Sequence, residues 1–412
     1  MKILQLSQFY DPVIGGEERH VGTLSRSLAA RGHDVTLLTY ATIGDEGETM
    51  DRGVRVVRVR PLAARVPGLY SDPTWPHAMP IPDPAIARAI SAEIKRSRPD
   101  VAHAHNWIVN SALGATRRHR VPLVQSLHDY GQVCATQRLM YLRETNCDGP
   151  APRKCMVCSA EKFGWVRGSA TVLGNGFMSR RRHSGVEQFV SVSGAVATGV
   201  SNVTKRPHVT SPVASAVIPN FIPDEEIEDE IPPFEPSAPL VFVGDLSRDK
   251  GVHILLEAYG GIADAPALQL IGRITPETPA TMPAGATALG PMPHADVISY
   301  VRQGQVLFAP STWREPCPTV VLEGMAAGRP VIGSAMGGIT DMIVDGETGF
   351  LVPPSDPAAL TGAIKQLLAD PRRAEAMGQA GRERVRTFTV SAVVERLEGV
   401  YRDVVASKTD RG

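Results

Sequence analysis

A chain of 412 residues is too long for one ordinary domain and is expected to form two or three. Its 43% hydrophobic and 21% charged residues describe a globular protein, and 43 basic against 43 acidic residues leave no net charge to draw it onto nucleic acid. No apolar run of about 18 residues suggests a membrane-spanning helix. The opening Met1-Lys2-Ile3-Leu4-Gln5-Leu6-Ser7 turns polar too soon for a signal peptide. The expectation is a cytoplasmic protein, with peripheral association at a membrane left open.

Taken in order, Ile3-Leu4-Gln5-Leu6 reads as a short strand that runs into the turn Asp11-Pro12-Val13-Ile14-Gly15-Gly16. A helix follows with Val21, Leu24 and Leu28 on one face, ended by Gly32. The next strand, 34–39, is mostly apolar, as central parallel strands are. Strand, glycine turn, helix, strand is a Rossmann-type opening, but without the full dinucleotide fingerprint. Gly16 lets backbone approach a ligand beyond the first strand. Residues 54–59 alternate like an outer strand, and a proline-rich linker spans 61–82. Asp83-Pro84 opens a helix with Ile86, Ile90 and Ile94 on one side. Two later strands leave polar residues at their carboxyl ends, His103-Ala104-His105-Asn106-Trp107 and Leu127-His128-Asp129. Ligands of open α/β sheets bind at that edge, which makes His105, His128 and Asp129 candidate site residues.

Cys134, Cys147, Cys155 and Cys158 fall in a stretch read as loop-rich, and Cys155-Met156-Val157-Cys158 has zinc-knuckle spacing. A structural zinc, free thiols and a disulfide all remain open for these four. Two strands near 188–193 and 214–219 follow, and then a proline-rich acidic linker from Asn220 to Pro239. A second Rossmann-like series comes next: strand 240–243, helix 252–259, strands 268–271 and 306–309. The strand at 306–309 leads into Ser311-Thr312-Trp313-Arg314-Glu315-Pro316-Cys317-Pro318-Thr319-Val320-Val321-Leu322-Glu323-Gly324. A helix beginning near Pro318 would present the amides of Thr319, Val320 and Val321 to an anion, between two carboxylates able to grip hydroxyls. That is chemistry suited to a phosphorylated sugar. Asp356 caps a further helix, and the last helix, near 390–405, buries Val393, Val394, Leu397 and Tyr401.

The ordered set of these pieces resembles glycosyltransferase family 4 (group 1), the retaining nucleotide-sugar transferases. It comprises Gly15-Gly16, the two histidine strand ends, Ile218-Pro219-Asn220, Gly244 with Lys250-Gly251, Glu315 through Glu323, Gly337-Gly338 and Asp345-Gly346-Glu347-Thr348-Gly349. The resemblance implies a GT-B fold: two Rossmann-like α/β domains facing a cleft, with a C-terminal helix crossing back. Domains are expected at 1–220 for the acceptor, 221–388 for the donor and 389–412 for the returning helix. The donor would be a nucleoside diphosphate sugar and the acceptor a small molecule, a glycan or a lipid-linked hydroxyl, with no cofactor required for catalysis.

By the same resemblance, Glu323 takes the ribose and Glu315 the sugar hydroxyls. Lys250, the amides at Thr319 and Val320, and Gly16 face the diphosphate, and His105 touches the donor sugar. The family has arginine directly after the glycine of its G-R motif, where this chain has Asp245, so Arg248 is the expected substitute. Two other readings stay open: a nucleotide-sugar epimerase of the same fold, and a catalytically silent nucleotide-sugar-binding protein.

Overall fold

Three Asp-Pro pairs each open a helix in the computed structural model, which describes residues 1–10, 16–42, 44–66, 77–204, 215–227 and 230–409. The Asp83 carboxylate accepts from the amides of Ala85 and Ile86, Asp356 from Ala359, and Asp370 from Arg373. In each case proline occupies a first-turn position whose amide would have no intrahelical acceptor. The chain divides into two compact units, Met1–Pro219 with Val393–Gly412, and Asn220–Ala392.

The first unit holds strands β1 (Lys2–Leu6), β2 (Asp34–Tyr40), β3 (Gly47–Asp51), β4 (Val54–Val59), β5 (Val101–His105), β6 (Leu123–Leu127), the short hairpin pair β7 (Met140–Tyr141) and β8 (Thr145–Asn146), β9 (Gln188–Ser191) and β10 (Ser215–Val217). Its helices are α1 (Gly16–Ala30), α2 (Pro84–Ser97), α3 (Val109–His119), α4 (Pro152–Phe163), α5 (Trp165–Gly185) and α6 (Gly194–Thr204). The main sheet runs β10-β9-β6-β5-β1-β2-β4-β3, parallel throughout except where β3 pairs antiparallel with β4. Ile3, Leu4 and Leu6 of β1 and Val101, Ala102 and Ala104 of β5 are buried, as a strand covered on both faces requires.

The second unit holds β11 (Leu240–Val243), β12 (Leu268–Ile271), β13 (Ala286–Gly290), β14 (Val306–Ala309), β15 (Val331–Ser334) and β16 (Gly349–Val352). With them are α7 (Val252–Gly260), α8 (His294–Gln303), α9 (Thr319–Ala326), α10 (Ile339–Met342), α11 (Pro357–Ala369) and α12 (Pro371–Val385). The sheet order is β13-β12-β11-β14-β15-β16, all parallel. Leu240, Phe242, Leu255, Leu268, Phe308, Ile332 and Leu360 are among its core residues. The last helix, α13 (Val390–Thr409), enters the first unit from Val393 on, where Val393, Val394, Leu397 and Tyr401 are buried.

Three local expectations are corrected. β4 is not the outer strand, because the exposed β3 covers its far edge. The cysteine stretch is not simply loop, since Cys155 and Cys158 lie on α4, which Pro152 starts. The helix near Pro318 starts at Thr319, with Pro318 as its N-cap in an extended conformation.

Candidate functional site

In the second unit, the loop from β11 into α7 and the loop from β14 into α9 meet at the carboxyl edge of adjacent strands. One glycine allows it. A Cβ on Gly251 would stand 1.9 Å from the Pro310 carbonyl oxygen, so only a bare backbone fits there. The Thr312 amide and hydroxyl then bond the carbonyls of Asp249 and Arg248, both at 2.9 Å. This stitching carries Lys250 to Glu315. Its Nζ lies 2.6 Å from Glu315 Oε1, which also accepts from Ser311 Oγ at 2.8 Å. Glu315 is buried and Lys250 half-buried, so the ammonium is fixed by a carboxylate that has few other ways to be satisfied. On the far side, the Gly338 amide donates to the Glu315 carbonyl at 2.6 Å.

α9 begins beside this group. Its Val321 amide is spent on the Pro318 carbonyl at 3.2 Å, which leaves Thr319 and Val320, both half-buried, as the amides facing outward from the helix start. Asn220 donates to the Cys317 carbonyl at 2.8 Å and so pins the residue before the cap; Cys317 is buried, and burial pushes its thiol up to about 12. Glu323 is buried one turn further on and stands 3.1 Å from His294 Nε2, the first residue of α8. The two glutamates therefore sit in separate polar sets along one loop and helix. Arg248 is exposed, and among the described residues its guanidinium makes no ion pair. The residue paired with Asp245 is Arg273, through Nε at 3.0 Å and Nη2 at 2.7 Å. Arg273 leaves the end of β12 through Gly272, where a Cβ would stand 2.0 Å from the Gly244 carbonyl oxygen.

The first unit gathers a second polar group at the carboxyl ends of β1, β5 and β6. Gln5 donates through Nε2 to the Tyr401 hydroxyl at 3.1 Å, and with that orientation the remaining tautomers follow. The Gln5 oxygen can only accept, so His105 Nε2–H donates to it at 3.0 Å. His105 Nδ1 then carries the lone pair and accepts from His128 Nε2–H at 2.9 Å. The Tyr401 hydroxyl donates to His103 Nδ1 at 2.7 Å, and His103 Nε2–H to Ser126 Oγ at 2.8 Å. Burial holds these rings neutral: His103 at about 3, and His20 and His105 well below the ordinary imidazole value, with neighbouring histidines adding to the effect. Both ring nitrogens of His105 are thus engaged and the ring is fully buried, so a ring contact with a sugar would have to break one of these bonds.

Asp129 follows on the same edge, its carboxyl raised to about 6 by burial although Gly131 N donates to it at 2.6 Å. Glu17, in the first turn of α1, is likewise raised by burial and then by Glu18 and Asp129; it accepts from Asn106 Nδ2. Asn106 has φ +56, a left-handed conformation that asparagine tolerates. Gly16 opens α1 with nothing within 4 Å of where a Cβ would stand, and Gly15 lies outside the described residues.

For metals, His20, His105 and His128 bring one ligand atom each within 4.8 Å of one another, and no other such group forms among the described residues. The four clustered cysteines do not form such a group, although Cys134 and Cys147 lie near enough to add to the upward push that burial puts on the thiols of Cys155 and Cys158. Their sulfurs take up local partners instead: Thr136 Oγ1 near Cys134 (3.3 Å), the Gly149 carbonyl near Cys147 (3.5 Å), the Ala151 amide near Cys155 (3.3 Å) and the Met140 carbonyl near Cys158 (3.5 Å).

Sequence reasoning gave no site role to Gln5, Glu17, Arg273, His294, Ser311 or Tyr401, although Ser311 stood in the stretch leading to Glu315 and Tyr401 on the buried face of the last helix. Gln5 carried a signal too, as a polar residue in the middle of an apolar central strand.

Two family models match the chain: the Glycosyl transferase 4-like domain over residues 15–182 and Glycosyl transferases group 1 over residues 223–384. It is similar to the glycogen synthase of Mycobacterium tuberculosis, 28% identical over 93% of this chain and 90% of that one. It is also similar to the D-inositol 3-phosphate glycosyltransferase of Acidothermus cellulolyticus, 29% identical over 96% and 87%. Among solved structures, the sucrose-phosphate synthase of Thermosynechococcus elongatus superposes with a TM-score of 0.71 at 22% identity, over 99% of this chain and all of that one. Anabaena Alr3699/HepE in complex with UDP superposes with a TM-score of 0.66 at 17% identity, over 98% of this chain and all of that one.

Proposed function

Because the chain belongs to the glycosyl transferases group 1 family, we propose that it transfers a sugar from a nucleoside diphosphate with retention of configuration and without a catalytic metal. The observation that carries this reading is the Lys250–Glu315–Ser311 group beside the start of α9. When the sugar C1–O bond breaks, charge builds on the departing diphosphate. The Lys250 ammonium and the Thr319 and Val320 amides supply fixed positive potential for it, already oriented before the reaction. Glu315 holds Lys250 in place and offers its remaining oxygen to sugar hydroxyls, and Glu323 accepts from the ribose. The acceptor hydroxyl adds to C1 on the face the phosphate leaves, and its proton passes to a phosphate oxygen, so no separate nucleophile is needed.

Incubation with a panel of UDP-, GDP-, dTDP- and ADP-sugars tests this. Donor hydrolysis or transfer is expected to give the retained anomer by NMR, to be unaffected by EDTA, and to fall by about 10²- to 10³-fold in Lys250→Ala. An inverted product, or loss of turnover with EDTA, refutes the mechanism. Epimer formation without acceptor would mark an epimerase, and tight binding without turnover a silent binding protein.

The Asp245–Arg273 pair favours a second assignment on the positive side of this site. Arg273 replaces the missing arginine in charge, delivered from the neighbouring strand and aligned by Asp245. The Arg273 side chain is 74% exposed, so the ion pair contributes orientation more than stability.

A further inference from the structure

α5 is built inside out. Its buried positions are Gly168, Asn175, Met178 and Arg182, and three of those four are polar or glycine. Gly168 lies against α4 so closely that a Cβ would stand 2.7 Å from the Ser159 carbonyl carbon. Arg182 is fully buried and donates to Gln132 Oε1 at 2.7 Å, Asn175 Oδ1 at 2.8 Å and Asn110 Oδ1 at 2.9 Å, and to two main-chain carbonyls. The large apolar side chains point the other way: Trp165 is 66% exposed, Val166 85%, Leu173 65% and Phe177 58%. Val166, Leu173 and Phe177 are spaced seven and then four residues apart, which lays them along one face with Trp165 at its rim. An ordinary surface helix turns this face inward.

The charge around the stripe is mostly positive. α5 contains no aspartate or glutamate, and Arg167, Arg180 and Arg181 are exposed on it. Arg181 lies over the Phe177 ring at 4.7 Å. α4 adds exposed Arg153 and Lys162 against a single acid, Glu161. In a chain of zero net charge this is a local concentration of cations beside exposed aromatic and aliphatic side chains.

We propose that this face of α4 and α5 seats the protein on an anionic lipid bilayer surface, with the stripe entering the boundary between headgroups and acyl chains and the arginines taking lipid phosphates. A second copy of the chain fits the same face less well. A twofold pairing of α5 on itself sets the Arg167, Arg180 and Arg181 rows against one another, with no carboxylate on the helix to receive them. No helix among the described residues is long and apolar enough to cross a membrane, so the attachment is peripheral and reversible. The proposal does not depend on which sugar is transferred.

The test is co-sedimentation of the full chain with vesicles of phosphatidylcholine alone or mixed with phosphatidylglycerol, followed by Trp165 fluorescence. The expected result is binding to the anionic vesicles, a blue shift that Trp165→Phe loses, and weakening at high salt. A Leu173→Glu, Phe177→Glu variant is expected to lose at least about tenfold in partitioning, while its circular dichroism and melting temperature match the parent. Failure to sediment with anionic vesicles overturns the proposal, and so does undiminished binding by the double variant. So too does a concentration-dependent dimer of the parent that the double variant abolishes in the absence of lipid.

Discussion

Replacing Gly337 with alanine tests whether the position of Glu315 is what this glycine turn maintains. Gly337 has φ +64, which costs an alanine about 1–2 kcal/mol. The added Cβ would also stand 2.4 Å from the Glu315 carbonyl oxygen and 2.7 Å from its nitrogen, whereas real Cβ atoms essentially never come within 3.0 Å. One backbone must retreat by more than about half an ångström. The adjacent Gly338 amide, bonded to the Glu315 carbonyl at 2.6 Å, moves with it, and so does the carboxylate 2.6 Å from Lys250. Misplacement of about 1 Å in such a group costs on the order of 100-fold in rate. Donor hydrolysis and nucleotide binding are measured alongside thermal unfolding. Gly346→Ala is the control: φ is +76, but nothing lies within 4 Å of its Cβ, so it carries the strain without the collision. It is expected to lose stability and keep its turnover. If Gly337→Ala keeps its turnover within about twofold while losing no more stability than Gly346→Ala, the positioning argument is wrong.

Tyr401→Phe removes the hydroxyl between Gln5 and His103 and leaves two buried groups unpaired, so unfolding in urea should show a loss of about 1–3 kcal/mol; an unchanged midpoint would contradict the two hydrogen bonds of this hydroxyl. Arg273→Ala should weaken donor affinity more than Arg248→Ala, because Asp245 holds only Arg273 in place; isothermal titration with UDP or GDP ranks the two, and the reverse order assigns the role to Arg248. The buried histidines make the stability of the first unit depend on pH. The unfolded histidines protonate near 6.5, whereas buried His103 resists down to about 3, so the unfolded state binds more protons in that window and stability falls as pH drops through it. His20 and His105 act in the same direction, and the raised carboxyls of Asp129, Glu17 and Glu18 oppose them. With three rings against three carboxyls the sum does not isolate the rings, so the check compares the parent with His103→Gln: between about pH 7.5 and about pH 5 the variant's urea midpoint should fall less, or rise more, than the parent's, and equal slopes would contradict the neutral-ring assignment.

The elements most legible in the sequence were those whose cause lies within a few residues. Apolar runs such as Ile3-Leu4-Gln5-Leu6 mark central strands, Asp-Pro pairs mark helix starts, and the order of glycine turns marks two Rossmann-like halves. Glu315 and Glu323 could be singled out together because loop and helix spacing is local. β3 was missed because nothing in Gly47–Asp51 is buried enough to show a core-facing alternation. α5 gave no amphipathic signal toward the core, because its buried face is polar and its apolar face is outside.

What only the tertiary structure decided is which distant residues become neighbours. Tyr401 reaches Gln5 and His103 because α13 returns to the first unit, and no local pattern encodes a partner nearly four hundred positions away. Arg273 meets Asp245 because β12 lies beside β11, and that strand order is a property of the assembled sheet. The tautomers of His105 and His128 likewise follow from burial and hydrogen-bond direction. Amino-acid periodicity determined the pieces and the residue types at their ends, because secondary structure and capping are short-range. Sheet order and burial decided which of those residues act together, because they alone bring distant polar groups out of water and oblige them to pair.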